Sequence, residues 1–175
     1  MLSGHELLPL PEGVELPPEA GATFAENALP KARSTARATG RASVGEDSGI
    51  VVDALGGAPG VHSARYAGEH ASDEENLEKL LRETEATGDR RAAYVCALAF
   101  VEPDGEEMLF EGRCTGRLAL APRGSGGFGY DPIFIPDEAS EPGLTMAELA
   151  PGEKNAISHR GKAARLFLHW LSSRP

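Results

Sequence analysis

Ten consecutive residues, Ala92 to Val101, are apolar on both alternations of an extended chain, and no other stretch limits the possible folds as strongly. A strand with two apolar faces must be covered on both, which makes this run the centre of a sheet with helices on each side. The helices are marked in the sequence. Thr23-Phe24-Ala25-Glu26 is a capping box that opens a helix to about Thr39, with Pro30 inside it and Gly40 at its end. Ser72-Asp73-Glu74-Glu75 opens a second, with Leu77, Leu80 and Leu81 on one face, and a last helix starts near Ser158 with Ala164, Phe167, Leu168 and Leu171 turned inward. Met108 to Arg113 pairs back on the central strand, Arg117 to Ala121 can continue the sheet, and Ile133 to Ile135 is a further buried strand. The expectation is one α/β domain over residues 1–175, with a mixed, twisted central sheet flanked by helices. Residues 1–18, broken by Pro9, Pro11, Pro17 and Pro18, are expected to be irregular.

Charge narrows the function classes. A formal net charge of −10 over 175 residues argues against a general nucleic-acid or membrane surface, since both partners are anionic. No apolar run is long enough to span a bilayer, and the first residues lack the pattern of a signal peptide, so the expected address is the cytoplasm. Cys96 and Cys114 flank Pro103-Asp104-Gly105. A two-residue turn at Asp104-Gly105 sets Cys96 opposite Arg113 and Cys114 opposite Val95, which points the sulfurs to opposite faces and leaves both thiols reduced.

Three stretches concentrate chemistry. The first, Val44 to Gly68, carries Glu46, Asp47 and Ser48 between Gly45 and Gly49, read as a turn joining short strands at Ala42 to Glu46 and Ile50 to Ala54. Crowded carboxylates suit a divalent metal or a catalytic base; the same residues also suit a solvated turn. The second, residues 123–132, is glycine-rich and projects Phe128 and Tyr130. Those rings either stack on a nucleobase or belong to the core. The third surrounds Lys154, His159 and Arg160. Residues 151–165 carry a net +3 inside an acidic chain, at the start of the last helix, where the helix dipole favours anions. An acidic stretch, a glycine loop with an aromatic and a basic helix start together describe a nucleoside triphosphate site.

The same segments closely resemble the inosine triphosphate pyrophosphatase family. The resemblance is carried by Thr23-Phe24-Ala25-Glu26-Asn27-Ala28, Glu46-Asp47-Ser48-Gly49, Ala54 through Gly60, Ser63-Ala64-Arg65-Tyr66, Gly126 through Pro132, and Glu153-Lys154-Asn155 through Gly161. It implies hydrolysis of ITP, dITP and XTP to the monophosphate and pyrophosphate, with Mg2+ as cofactor, a small-molecule purine nucleoside triphosphate as partner, and a homodimer. It also implies that Asp47 is the metal-linked general base and Ser48 a substrate contact. Phe128, Gly129, Tyr130 and Asp131 would line the nucleoside pocket, Lys154 would serve substrate binding, and His159 with Arg160 would address the base. Hypoxanthine and xanthine carry a 6-keto acceptor where adenine carries an amino donor, so a fixed donor there favours the former.

Two departures from the family pattern stand out. Where the family has an acidic pair before the capping box, this chain reads Pro18-Glu19-Ala20-Gly21, which leaves Glu19 as the second metal carboxylate. The family's opening strand and Thr/Ser-x-Asn-x-x-Lys phosphate loop have no counterpart here. The expectation is that Met1 is an internal or misassigned start; the competing expectation is a shortened homologue acting as a nucleotide-binding or dimeric interaction module without turnover.

Overall fold

The computed structural model describes residues 6–174. Within them a four-stranded sheet runs in the order β1 (Ser43–Val52), β2 (Arg91–Val101), β3 (Glu107–Leu118), β4 (Phe134–Pro136). All three pairings are antiparallel, so the sheet is not mixed as expected. The helices are α1 (Phe24–Thr39), α2 (Asp73–Thr84), α3 (Pro151–Ile157) and α4 (His159–Ser172). Residues 6–22 are irregular apart from one turn, as the prolines require; Met1 to His5 lie outside the described residues.

Both expected capping boxes form. Thr23 Oγ1 accepts from the Glu26 amide at 3.2 Å, and Ser72 Oγ accepts from the Glu75 amide at 3.2 Å. β2 is the central strand, and its two apolar faces are covered by different helices. The odd-numbered face, with Ala97, Ala99 and Val101, packs on the alanine stripe Ala28, Ala32 and Ala36 of α1. Small side chains on both partners let helix and sheet approach closely. The even-numbered face meets α4, where Phe100, Phe110, Phe167 and Trp170 form an aromatic cluster with ring centroids 5.1–6.2 Å apart. A further core joins Ile50, Val52, Leu77, Leu80, Tyr94, Phe134 and Met146 beneath α2.

Two expectations are corrected. The stretch Val44 to Val52 is no turn: it is one continuous strand paired with β2 along its length, Glu46 opposite Leu98 and Asp47 opposite Ala97. Gly45 and Gly49 are needed for space rather than turn geometry, since neither has a positive φ. A Cβ on Gly45 would sit 2.5 Å from the Ala28 carbonyl oxygen of α1, and one on Gly49 would sit 2.6 Å from the Gly60 carbonyl oxygen. The β2–β3 loop has three residues, Pro103 to Gly105, with Gly105 at φ +100° and Glu102 paired to Glu106. The register therefore shifts by one. Cys96 faces Gly112 and Cys114 faces Tyr94, which places both sulfurs on the α4 side as diagonal neighbours, and both are free thiols. Burial pushes the Cys96 thiol up to about 12 and the Cys114 thiol up to about 11, so neither is a nucleophile at neutral pH.

Candidate active site

A strand sends successive side chains to opposite faces, so the continuity of β1 separates Glu46 from Asp47. Asp47 points to the α1 side, where its Oδ2 accepts from Asn27 Nδ2 at 2.9 Å and its Oδ1 lies 3.6 Å from Lys31 Nζ. Lys31 also pairs with Glu19, which Arg65 approaches at 3.4 Å from its other side. The outcome is two carboxylates, Glu19 and Asp47, gathered around one ammonium. Asn27 and Lys31 reach them because residues four apart share a helix face. Burial raises the Asp47 pKa and Glu19 adds to it, against the lowering by Asn27 and Lys31. The hydrogen bond from Lys31 holds Glu19 below its ordinary value, with Arg65 assisting against the cost of burial.

No group of three His, Cys, Asp or Glu side chains converges as a complete metal cage among the described residues. A hard divalent ion that binds alongside phosphate needs less than that. Mg2+ commonly takes one or two carboxylates and completes its shell with water and substrate oxygens. Glu19 and Asp47 supply that donor set, and the ammonium between them shows that the pair is arranged around positive charge.

The other side of β1 carries Glu46 and Ser48, facing α4. Glu46 Oε1 accepts from Arg160 Nε at 2.8 Å. Burial pushes the Glu46 carboxyl up, but Arg160, Ser48 and His159 together outweigh it and the net shift is downward. The Arg160 guanidinium lies 5.1 Å from the centre of the Phe128 ring, and Lys154 Nζ lies 4.9 Å from it. Lys154 in turn pairs with Asp131 at 2.5 Å, and Asp131 Oδ2 accepts from the Phe128 amide at 2.8 Å. Gly127 sits at φ +79°, a conformation that favours glycine, and a Cβ there would also press on the Asp131 carboxylate.

The rings of the glycine loop divide. Phe128 is 57% exposed, an aromatic surface standing in solvent between two cations. Tyr130 is buried in the core and its hydroxyl donates to the Ser63 carbonyl at 2.8 Å, so it offers the loop backbone rather than a ring. Gly129 donates its amide to Asp73 Oδ2 at 2.7 Å, which ties the loop to the first turn of α2. Asp131 is buried and anchors the loop's shape through Phe128 and Lys154.

His159, the first residue of α4 after the Ser158 cap, is buried and stacks flat on Tyr94 with ring centroids 4.7 Å apart. Its Nδ1 has no hydrogen-bond partner among the described residues. Burial, with Arg160 and Lys154 close by, lowers its pKa to about 4. The imidazole is therefore neutral at working pH. Because the folded pKa is depressed below the ordinary histidine value of 6.5, the unfolded chain binds the proton first and stability falls as pH drops from about 6.5 towards 4. At pH 5 this single group is expected to cost ~1–2 kcal/mol relative to pH 7.5. Urea midpoints at the two pH values check it: His159→Phe keeps the stacked ring, removes the proton site and should narrow the gap by that amount. An unchanged gap would mean that His159 is not buried neutral.

The described residues thus form two groups, one on each side of β1, with the Ser48 side chain on the Glu46 side. The residues of β1 whose backbone points away from β2 include Glu46, whose carbonyl accepts from Lys31 Nζ at 3.0 Å, and Ile50, whose amide donates to Ser63 Oγ. Ser48 shares their alternation, so its backbone lies along the β1 edge of the sheet formed by the described residues. Asn27 and Lys31 carry no assignment from sequence reasoning. Their signal was present all the same, as two polar side chains on the face of α1 that otherwise carries Ala28, Ala32 and Ala36.

The Ham1 family model matches residues 1–170. A dITP/XTP pyrophosphatase of Geobacillus kaustophilus is 53% identical over 159 residues, which is 90% of this chain and 76% of that protein. One of Symbiobacterium thermophilum is 52% identical over 171 residues, 97% of this chain and 84% of that protein. Among solved structures, a HAM1 protein from Coxiella burnetii superposes with a TM-score of 0.86 at 43% identity, covering 92% of this chain and 82% of its own. A nucleoside-triphosphatase described as a dITP/XTP pyrophosphatase from Mycobacterium abscessus gives 0.76 at 48% identity, covering 91% and 83%.

Proposed function

The chain belongs to the Ham1 family, and from that premise we infer that it hydrolyses non-standard purine nucleoside triphosphates, ITP, dITP and XTP, to the monophosphate and pyrophosphate. The observation that carries this reading to the residues is the division of the site by β1. An acidic pair with a lysine lies on one side, and an exposed aromatic ring with two cations lies on the other. A nucleotide has the matching two-part chemistry, a polyphosphate that takes a metal and a flat base that stacks.

In this reading the base lies against Phe128, beside Lys154, Arg160 and the neutral imidazole of His159, with Gly129 and Asp131 shaping the loop under it. The ribose and α-phosphate cross the strand edge at Ser48. On the far side Asp47 takes a proton from a water, whose oxygen bonds to the α-phosphorus; the bond from that phosphorus to the bridging oxygen breaks and pyrophosphate leaves with it. Lys31, engaged with Glu19, Asp47 and the Glu46 carbonyl, holds that carboxylate pair in place beside the polyphosphate. Glu19 and Asp47 would hold a divalent cation, which we assign as Mg2+, and its charge would offset that of the polyphosphate and of the leaving pyrophosphate. No described helix is long and apolar enough to cross a membrane, and the family resemblance supports a cytoplasmic homodimer.

The test is product analysis with ITP, dITP, XTP, ATP and GTP, with Mg2+ and with excess chelator. Pyrophosphate and monophosphate in equal amounts, at least tenfold higher kcat/KM for ITP, dITP and XTP than for ATP, and loss of turnover with chelator are expected. Release of orthophosphate would move the attack away from the α-phosphorus, and binding of ITP without turnover would replace the enzyme with a nucleotide-binding module.

A further inference from the structure

Glu46 has no part in the mechanism above, yet it faces the base-binding side of β1 and holds Arg160 by Nε alone. The other carboxylates around Phe128 are committed differently. Asp131 Oδ2 is shared by Lys154 and the Phe128 amide, and Asp73 Oδ2 takes the Gly129 amide. Among the described residues Arg160 Nε makes the one well-formed hydrogen bond to the Glu46 carboxylate, with the Ser48 hydroxyl and Cys96 thiol beside it, and the two terminal nitrogens of Arg160 donate none. Glu46 and Arg160 therefore present an open acceptor beside open donors, with the guanidinium 5.1 Å from the centre of the ring on which a base would stack.

We propose that the Glu46–Arg160 pair is a two-point reader of the purine edge, in which Arg160 donates to the 6-oxo group and Glu46 accepts the N1–H beside it. This rests on the reading of the site as a purine nucleotide site. The chemistry is complementary in order. Hypoxanthine and xanthine offer an acceptor at O6 and a donor at N1, whereas adenine offers a donor at N6 and a bare lone pair at N1. Adenine thus meets the guanidinium with a donor and the carboxylate with a lone pair, and two polar pairs are left unmade. Guanine has the same O6 and N1–H as hypoxanthine, so the pair selects against the 6-amino group and not against guanine's 2-amino group. Arg160 alone would read O6 only; Glu46 adds the protonation state of N1.

The experiment compares the wild-type chain with Glu46→Gln and Glu46→Ala on ITP, GTP, ATP and 1-methyl-ITP, in which the N1 proton is replaced. Glu46→Gln keeps an acceptor for Arg160 and can turn an amide N–H towards N1 of adenine. The ratio of kcat/KM for ITP over ATP is expected to fall at least tenfold in Glu46→Gln, while the ratio of ITP over GTP stays within threefold of wild type. The wild type should discriminate at least tenfold against 1-methyl-ITP, and Glu46→Ala, which removes both the acceptor and the obstacle to a methyl group, should lose most of that discrimination. If Glu46 only holds Arg160 in place, Glu46→Ala lowers ITP and ATP alike, all ratios persist in both variants, and the proposal is overturned. Urea midpoints close to wild type establish that the variants fold. A wild-type chain that does not hydrolyse ITP overturns the parent reading itself, whereas intact ITP hydrolysis with unchanged ratios overturns only the role of Glu46.

Discussion

Asp47→Asn is expected to lower kcat for ITP about 10^3-fold, with the chain still folded and no less stable at neutral pH. The two halves of that result have one cause. Asp47 is desolvated between β1 and α1 and repelled by Glu19, so its folded pKa lies above the ordinary 3.8. A carboxyl whose folded pKa is raised destabilises the fold once pH exceeds that value, because ionisation is harder in the folded chain than in the unfolded one. Replacing it with a neutral isostere removes that burden while Lys31 keeps Glu19 as its partner. Urea denaturation beside steady-state pyrophosphate release separates the two effects. Retention of more than a third of the wild-type rate would take the role of base away from Asp47. A collapse in stability would show that the carboxylate is structural.

Gly112→Ala is expected to cost about 3 kcal/mol and to remove activity with it, though Gly112 touches no substrate. A Cβ at this position would lie 2.5 Å from the Ala163 nitrogen and closer still to the His159 carbonyl oxygen, and both neighbours are helix backbone that cannot rotate aside. The first turns of α4 must lift off β3. Those turns hold His159 on Tyr94 and Arg160 on Glu46, so the base side of the site moves with them. Gly152→Ala, at the start of α3 with no atom within 4 Å of its added Cβ, is the matched control and should leave stability and rate unchanged. A wild-type urea midpoint for Gly112→Ala would mean that α4 does not pack on β3 at this distance.

Much of the frame was legible because it depends on local rules. The two capping boxes start α1 and α2 where the side chains say they must, and the run of apolar residues in β2 could only be a covered central strand. The failures come from residues whose sequence does not say what they are for. Gly45 and Gly49 bracket polar residues, which is how a turn reads; both are instead places where a neighbouring backbone leaves no room for a Cβ, a fact of tertiary packing. Gly105 does use its freedom, at φ +100°, but in a three-residue loop, and that one residue moved both cysteines to the same face. In the site, the types of residue at Asp47, Phe128, Lys154 and Arg160 were visible in order. What could not be seen was that Lys31 would bridge Glu19 and Asp47, or that Tyr130 would turn inward while Phe128 turned out, because those outcomes depend on how helices sit on the sheet.

The alternation of β1 gives its hydrogen-bond register a chemical meaning. Sliding this strand by one residue past β2 would conserve nearly all of the backbone ladder, yet it would trade places between Asp47, proposed as the base, and Glu46, proposed as the reader of the purine edge. Gly45 and Gly49 prevent that slip, since the slipped strand would drive Val44 or Glu46 into the backbone of α1. A single-residue insertion within β1 is thus a frameshift written in space: the ladder could re-form only by forcing a side chain into the backbone of α1 and by turning Asp47 away from Asn27 and Lys31.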